Sequence, residues 1–393
     1  MRFSRRTNWN TEENDLARAY RERRAAGLPI ADLTASNPTR CGFRYDGILD
    51  ALNDARALDY DPQPKGLLAA REAVCAYYAD HGVAIEPDQV VLTTSTSEAY
   101  SYLFRLLCDP GAEILAPQPS YPLFDFLADM DDVHIKPAPL VYDHGWQIDA
   151  EGFRRVITSQ TRAIMLVHPN NPTGHFTKPW ESEELARLCR DHDLSLIVDE
   201  VFLDYSFGNR ESSFAAGLED VPVYVVSGLS KIVALPQMKA AWIVATGSAR
   251  GEAMSRLEVI ADTFLSMNAP VQGALPKWLA GRETIQSQIR ARVSANLANL
   301  DRKLRDRQGE GQGMIERLAV EGGWYATLRV PALQPDEQTV RQLLDRGVWV
   351  QPGYFFGMAE SGWLVLSLLG GDDEFRDGIA VLVDSIDRVM RAS

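Results

Sequence analysis

Cysteine is scarce in this chain of 393 residues, and the four present, Cys41, Cys75, Cys108 and Cys189, are scattered without Cys-x-x-Cys spacing. That pattern argues against a disulfide framework and for free thiols in a reducing compartment. Long apolar runs are missing too. No stretch approaches about 18 continuous apolar residues, so no membrane-spanning helix is expected. The basic start Met1-Arg2-Phe3-Ser4-Arg5-Arg6 leads into no apolar run, so no signal peptide is expected either. The chain lacks a basic surplus: its formal charge is -14. Neutralising phosphates needs a basic face, so nucleic acid is not the expected partner. A glycine-rich phosphate loop is also absent. Gly309-Glu310-Gly311-Gln312-Gly313 has neither the spacing nor the strand-before, helix-after context of a dinucleotide fingerprint and reads as a flexible loop. His168, His175 and His192 stand apart and outside any His-Glu-x-x-His frame, so no metal site is expected. Repeats and low-complexity tracts are lacking. Cytoplasm is the expected address.

Apolar residues make up 46% and charged residues 24%, close to the average of a globular protein. The length favours two domains of unequal size. Short apolar runs at 90–94, 113–116, 133–136, 163–168, 194–198, 223–227 and 240–245 alternate with helix-period stretches at 97–108, 182–193 and 249–264. Several runs are apolar on both faces, as a sheet covered by helices on both sides requires. The expected fold is α/β: a large domain, 43–282, with a mostly parallel seven-stranded sheet. A polar helix over 285–307 bridges to a smaller α+β domain made of 1–42 and 283–393. That domain has strands at 324–330, 348–350 and 364–368 in an antiparallel sheet, and helices at 336–346 and 374–390.

In an open α/β sheet, ligands bind beyond the carboxyl ends of the strands. The informative residues fall there. Ser95-Thr96-Ser97 follows the first run and opens a helix, where free amides and hydroxyls suit a phosphate, although serine and threonine are also ordinary N-caps. Asn171 sits in Asn170-Asn171-Pro172-Thr173-Gly174, an ordinary place for a turn asparagine. Asp199 ends Leu196-Ile197-Val198-Asp199, where a lone carboxylate is expensive without a partner. Lys231 ends Val225-Val226-Ser227-Gly228-Leu229-Ser230-Lys231, and Lys239 follows it.

Taken in that order, these residues resemble the pyridoxal-phosphate enzymes of the class I/II aminotransferase family, from about Asp32 to the C-terminus. The resemblance implies pyridoxal 5'-phosphate as cofactor and an amino donor and a 2-oxo acid as substrates. Lys231 would bond to the cofactor aldehyde and, once displaced, carry the proton. Asp199 would keep the ring nitrogen protonated, and Asn171 would donate to the ring oxygen. Tyr121, in Pro119-Ser120-Tyr121-Pro122, matches the residue that stacks on the ring. Ser95, Thr96, Ser97, Ser230 and Lys239 would hold the phosphate; members usually have arginine where Lys239 stands. Tyr60, in Asp59-Tyr60-Asp61-Pro62, resembles the segment that reaches into a neighbouring subunit, which implies a homodimer. Asn37-Pro38 is similar to the segment lying over the substrate.

The chain departs from the family in three places. Phe202 replaces a tyrosine that donates to the ring oxygen, leaving Asn171 alone there. Gly228 stands where a serine is usual, and Ser227 or Ser230 would replace it. Val365, in Trp363-Leu364-Val365-Leu366-Ser367, occupies the position of the arginine that clamps the substrate carboxylate. Arg40 is the first candidate to replace it and Arg329 the second; otherwise the substrate is no simple α-amino acid. A decarboxylase, a β-lyase or a cyclase on the same cofactor is therefore the alternative to an aminotransferase. A regulatory domain without turnover has no room for a DNA-binding arm before Asp32. A nucleotide-binding protein would need the missing glycine loop.

Overall fold

The structure, a computed structural model, describes residues 2–208, 212–265, 267–309 and 314–392. Alternation along its central strands builds two cores. Leu196, Val198, Val223, Val225, Trp242 and Val244 enter one apolar cluster, while Ile197, Tyr224, Val226, Ile243 and Ala245 enter the other. Successive side chains of a strand point to opposite faces, so each of these strands is buried on both.

All seven expected strands form: Val90–Thr93, Glu113–Gln118, His134–Tyr142, Thr161–Val167, Ser195–Asp199, Val223–Gly228 and Ala241–Thr246. An eighth, Trp146–Ile148, adds to the edge by pairing antiparallel with His134–Tyr142. The spatial order runs from Val90–Thr93 through Ala241–Thr246, Val223–Gly228, Ser195–Asp199, Thr161–Val167, Glu113–Gln118 and His134–Tyr142 to Trp146–Ile148. Ala241–Thr246 is antiparallel to both of its neighbours. The strands starting at Val223, Ser195, Thr161, Glu113 and His134 are mutually parallel.

These directions put chemistry at one edge. The carboxyl ends of the strands that precede Ser95, Asn171, Asp199 and Lys231 lie together. The reversed strand Ala241–Thr246 brings its amino end, with Lys239 just before it, to the same edge.

A second sheet, antiparallel throughout, pairs Glu316–Arg317, Tyr325–Arg329, Trp363–Ser367 and Gln351–Pro352 in that order. Ala31–Asp32 pairs in parallel with Val348–Trp349. The helix Glu283–Gly309 packs along Asp372–Ala392. Asn296 on it donates 2.9 Å bonds to the carbonyls of Leu368 and Gly370. The loop expected at 309–313 lies outside the described residues except for Gly309, which ends the helix. Among the described residues, no helix is long and apolar enough to cross a membrane.

Candidate active site

One cavity of about 300 Å³ opens at the shared strand edge. Ser95, Thr96, Ser97, Tyr121, Asn171, Asp199, Phe202, Ser230, Lys231 and Lys239 all line it, ten residues chosen from sequence alone. Local chain chemistry explains how each arrives. Ser95 is the N-cap of the helix Thr96–Leu107 and accepts from Glu98 N at 3.1 Å, while Glu98 Oε2 reaches back to Thr94 N at 2.6 Å. The cap fixes the helix start, and first-turn amides have no intrahelical acceptor, so those of Thr96 and Ser97 present partial positive charge to the cavity.

Asp199 is buried at its strand end. Its Oδ2 accepts from the Tyr100 hydroxyl at 2.7 Å and its Oδ1 from Val201 N at 2.9 Å. Burial pushes the Asp199 carboxyl up to about 6, against these two bonds and the nearby charge of Lys231. Burial has the opposite effect on an amine: it brings Lys231 down to about 8, and Asp199 counters only part of that. The Lys231 Nζ lies 5.0 Å from the Trp324 ring centre and 5.5 Å from that of Phe202. Its carbonyl accepts a 2.7 Å bond from the Tyr205 hydroxyl, which fixes the backbone beneath it.

Asn171 Oδ1 is buried without a hydrogen-bond partner in the protein. An orphaned buried amide oxygen costs free energy until a ligand or water meets it. A lysine with a lowered pKa, a buried carboxylate and a helix start beside Lys239 together fit a ligand that carries a carbonyl, a basic ring nitrogen and a phosphate, and Asn171 offers that ligand an acceptor at Oδ1 and donors at Nδ2.

The departures have physical reasons. A Cβ on Gly228 would come 2.8 Å from the Ala240 carbonyl oxygen and 2.9 Å from Ala241 Cα, so a serine there would force the neighbouring strand to shift. Ser230 lines the cavity; Ser227 is fully buried in its strand with an unpartnered hydroxyl. Phe202 packs edge-on against Trp324 with ring centres 5.3 Å apart. Val365 is buried with Phe356 and Met358 and does not line the cavity.

Four residues chosen from sequence lie elsewhere. Tyr60 is 80% exposed and borders a separate groove with Met267, Asn268 and Gln272. Asn37 accepts from Thr39 N at 3.1 Å and is not on the cavity wall. Arg40, exposed at the end of the turn Pro38–Arg40, is not on the wall either. Arg329 lies over the Trp363 ring at 5.2 Å, also away from it. Among the described lining residues, Lys231 and Lys239 are the cations.

Sequence reasoning missed Tyr100, Ser36 and Tyr325, which also line the cavity. Tyr100 follows the cap Ser95 on the same helix, one turn in, and that spacing is a usable signal. Ser36 arrives because Ser367 N donates to the Leu33 carbonyl at 2.7 Å and the Ser367 hydroxyl donates to the Ala35 carbonyl, contacts that no local pattern announces.

The family model for aminotransferases of class I and II matches residues 46–381. The aspartate/prephenate aminotransferase of Thermus thermophilus is 28% identical over 371 residues, 91% of each chain. The tyrosine aminotransferase of Dictyostelium discoideum is 24% identical over 336 residues, 81% of this chain and 80% of that one. The solved alanine aminotransferase from Pyrococcus furiosus superposes over the full length of both chains with a TM-score of 0.87 at 24% identity. Family model and fold agree with the site: the chain belongs to the class I and II aminotransferase family and is a transaminase.

Proposed function

We propose that amino transfer by this chain runs on pyridoxal 5'-phosphate held in the cavity around Lys231. When bound, that cofactor supplies an aldehyde to take the amino group and a ring to accept the electron pair left on the donor carbon. The observation that carries the reading is the convergence of Lys231, Asp199, Asn171 and the Ser95 helix start on one cavity.

Lys231 Nζ serves as nucleophile and then as the base that moves a proton to and from the donor carbon. With a pKa of about 8, roughly a tenth of it is neutral at pH 7, against about 1 in 2,500 for an ordinary lysine. Asp199, held by Tyr100 and Val201, receives a protonated ring nitrogen and gains the partner its burial lacks. Asn171 meets the ring oxygen alone, since Phe202 has no hydroxyl. Ser95, Thr96, Ser97, Ser230 and Lys239 take the phosphate, and Tyr121 faces the ring.

For a donor carboxylate we assign Arg40. It makes no ion pair with a described residue, and Ser36 of the same loop lines the cavity. Asn37, between them, orders this loop through its cap on Thr39. The relatives named above differ in donor, so the side chain of the amino acid used here is left to the test.

We assign residues 43–282 to a cofactor domain and 1–42 with 283–393 to a smaller one, supported by the separate sheets at 90–246 and 316–367. A homodimer is supported by two large apolar side chains left exposed, Leu58 at 89% and Tyr60 at 80%, the latter on the groove at Met267. The four free cysteines support a cytoplasmic address.

The test is the absorbance spectrum of the cofactor-reconstituted protein before and after a panel of amino acids and amines, with Lys231→Ala as control. A near-visible band that is lost in the variant, and that donors convert in the wild type, is expected. A protein that forms no such band contradicts the reading. A band that no donor converts favours a lyase, decarboxylase or cyclase, the alternative that Val365 keeps open.

A further inference from the structure

His175 lies behind the cavity and has no part in the chemistry above. It is buried between two carboxylates: Nε2 is 3.0 Å from Glu181 Oε2, and Nδ1 is 3.5 Å from Glu321 Oε2. The two acids belong to distant pieces of chain. Glu181 sits in the first turn of the helix Pro179–His192, fully buried, and accepts from Ile148 N at 2.7 Å and Lys178 N at 2.6 Å. Glu321 precedes the strand Tyr325–Arg329. It accepts from Phe176 N at 2.9 Å and pairs with Lys178 Nζ.

The seam around this cluster is close on both sides. The Gly174 carbonyl accepts from Glu321 N at 3.2 Å and Gly322 N at 3.1 Å. A Cβ on Gly174 would meet the Gly322 oxygen at 2.5 Å, and one on Gly322 would meet the Phe176 ring at 2.6 Å. Three cavity walls hang on the seam. The His175 carbonyl accepts from Asn170 N at 2.8 Å, closing the turn that presents Asn171. Trp324 and Tyr325 follow directly on Gly322-Gly323. Gly323 N donates to the Tyr205 carbonyl at 2.8 Å, and the Tyr205 hydroxyl holds the backbone of Lys231.

We propose that His175 is a positioning residue whose charge, shared between Glu181 and Glu321, keeps the Asn171 turn docked on the segment that sets Trp324 beside Lys231 and Tyr325 on the cavity wall. Glu181 is the reason a cation is needed. A fully buried carboxylate with two amide donors stays costly without an opposite charge, and the side chain of Lys178 goes to Glu321 instead. The groups facing His175 are Lys178, Glu181, Glu321 and His168. Burial holds His168 down at about 3, so it stays neutral and does not compete. Burial alone would lower His175 as well, but the two carboxylates outweigh it and raise it above its usual value. The charge is therefore present below the ordinary histidine range of about 6.5 and is lost as pH rises through the raised value.

The consequence for the cofactor rests on the proposed function; the docking itself does not. The first measurement is hydrogen exchange on the cofactor-free protein, wild type against His175→Gln, at one pH below the His175 transition. The amides of Asn170, Glu321, Gly322 and Gly323 are expected to exchange about tenfold faster in the variant. The second is the binding of pyridoxal phosphate by fluorescence, expected to be about tenfold weaker in the variant. Unchanged exchange at the seam overturns the proposal, whatever the cofactor does. If His175→Gln does not fold, Glu321→Gln decides: it should move the histidine's NMR titration midpoint to lower pH, and an unmoved midpoint overturns the proposal. A wild type that binds no cofactor would sink the proposed function and leave the exchange result standing.

Discussion

At the scale of single residues, burial sets the chemistry. Asp199 and Lys231 share one cavity, and burial moves each toward its neutral form, one up to about 6 and the other down to about 8. On the cofactor-free protein, the rate at which an amine acylating reagent modifies Lys231 should rise with a midpoint near pH 8. Asp199→Asn should move that midpoint lower, because the carboxylate is what raises it. The same variant should stabilise the cofactor-free protein. A carboxyl whose folded pKa is raised from about 3.9 to about 6 favours the folded state fully below pH 4, and that contribution is lost by pH 6. At pH 7 the buried charge therefore costs about 3 kcal/mol, and replacing it with a neutral amide should raise the melting temperature while lowering turnover at least a hundredfold. A denaturant titration at pH 5 and pH 8 checks the sign: the gain should be larger at pH 8. Lys231, Asp199 and Asn171 were legible in sequence because each follows an apolar run at a strand end. His175 was not, since Glu321, one of its two partners, comes close only after the second sheet forms.

At the scale of elements, alternation and turn chemistry carried the reading. The seven strands were visible because each is an apolar run bounded by turn residues. The eighth, Trp146–Ile148, is three residues long and too short for a period to show. The strand His134–Tyr142 continues through Pro137 and Pro139, beyond the expected end at residue 136. Gly228 shows the limit differently. Its residue type could be compared with the family, but the reason for it, the approach of Ala240 and Ala241 across the sheet, needed the packed structure. Gly228→Ser should destabilise by about 1 to 3 kcal/mol through overpacking. The midpoint of urea unfolding checks this, with no change in its slope.

At the scale of the whole molecule, strand direction collects residues from five connections at one edge. Segments from the second sheet and the N-terminal loop complete the wall. That completion was the least legible part: Ser36 reaches the cavity through the bond of Ala35 to Ser367, 332 positions away, and Tyr325 through a strand that pairs with the one ending at Ser367. The exposed Leu58 and Tyr60 belong to the same scale. Sedimentation should give twice the chain mass, and Tyr60→Phe should weaken pyridoxal phosphate binding about tenfold if the segment reaches a partner's site. A monomer that binds the cofactor at full strength would remove Tyr60 from the site.

The central claim is that Lys231 Nζ is the group that bonds to the cofactor. Borohydride reduction of the reconstituted enzyme, followed by proteolysis and mass spectrometry, tests it most directly. The account predicts the reduced cofactor's mass on the peptide containing Lys231 and none on Lys239. Label on another lysine, or on none, would contradict it.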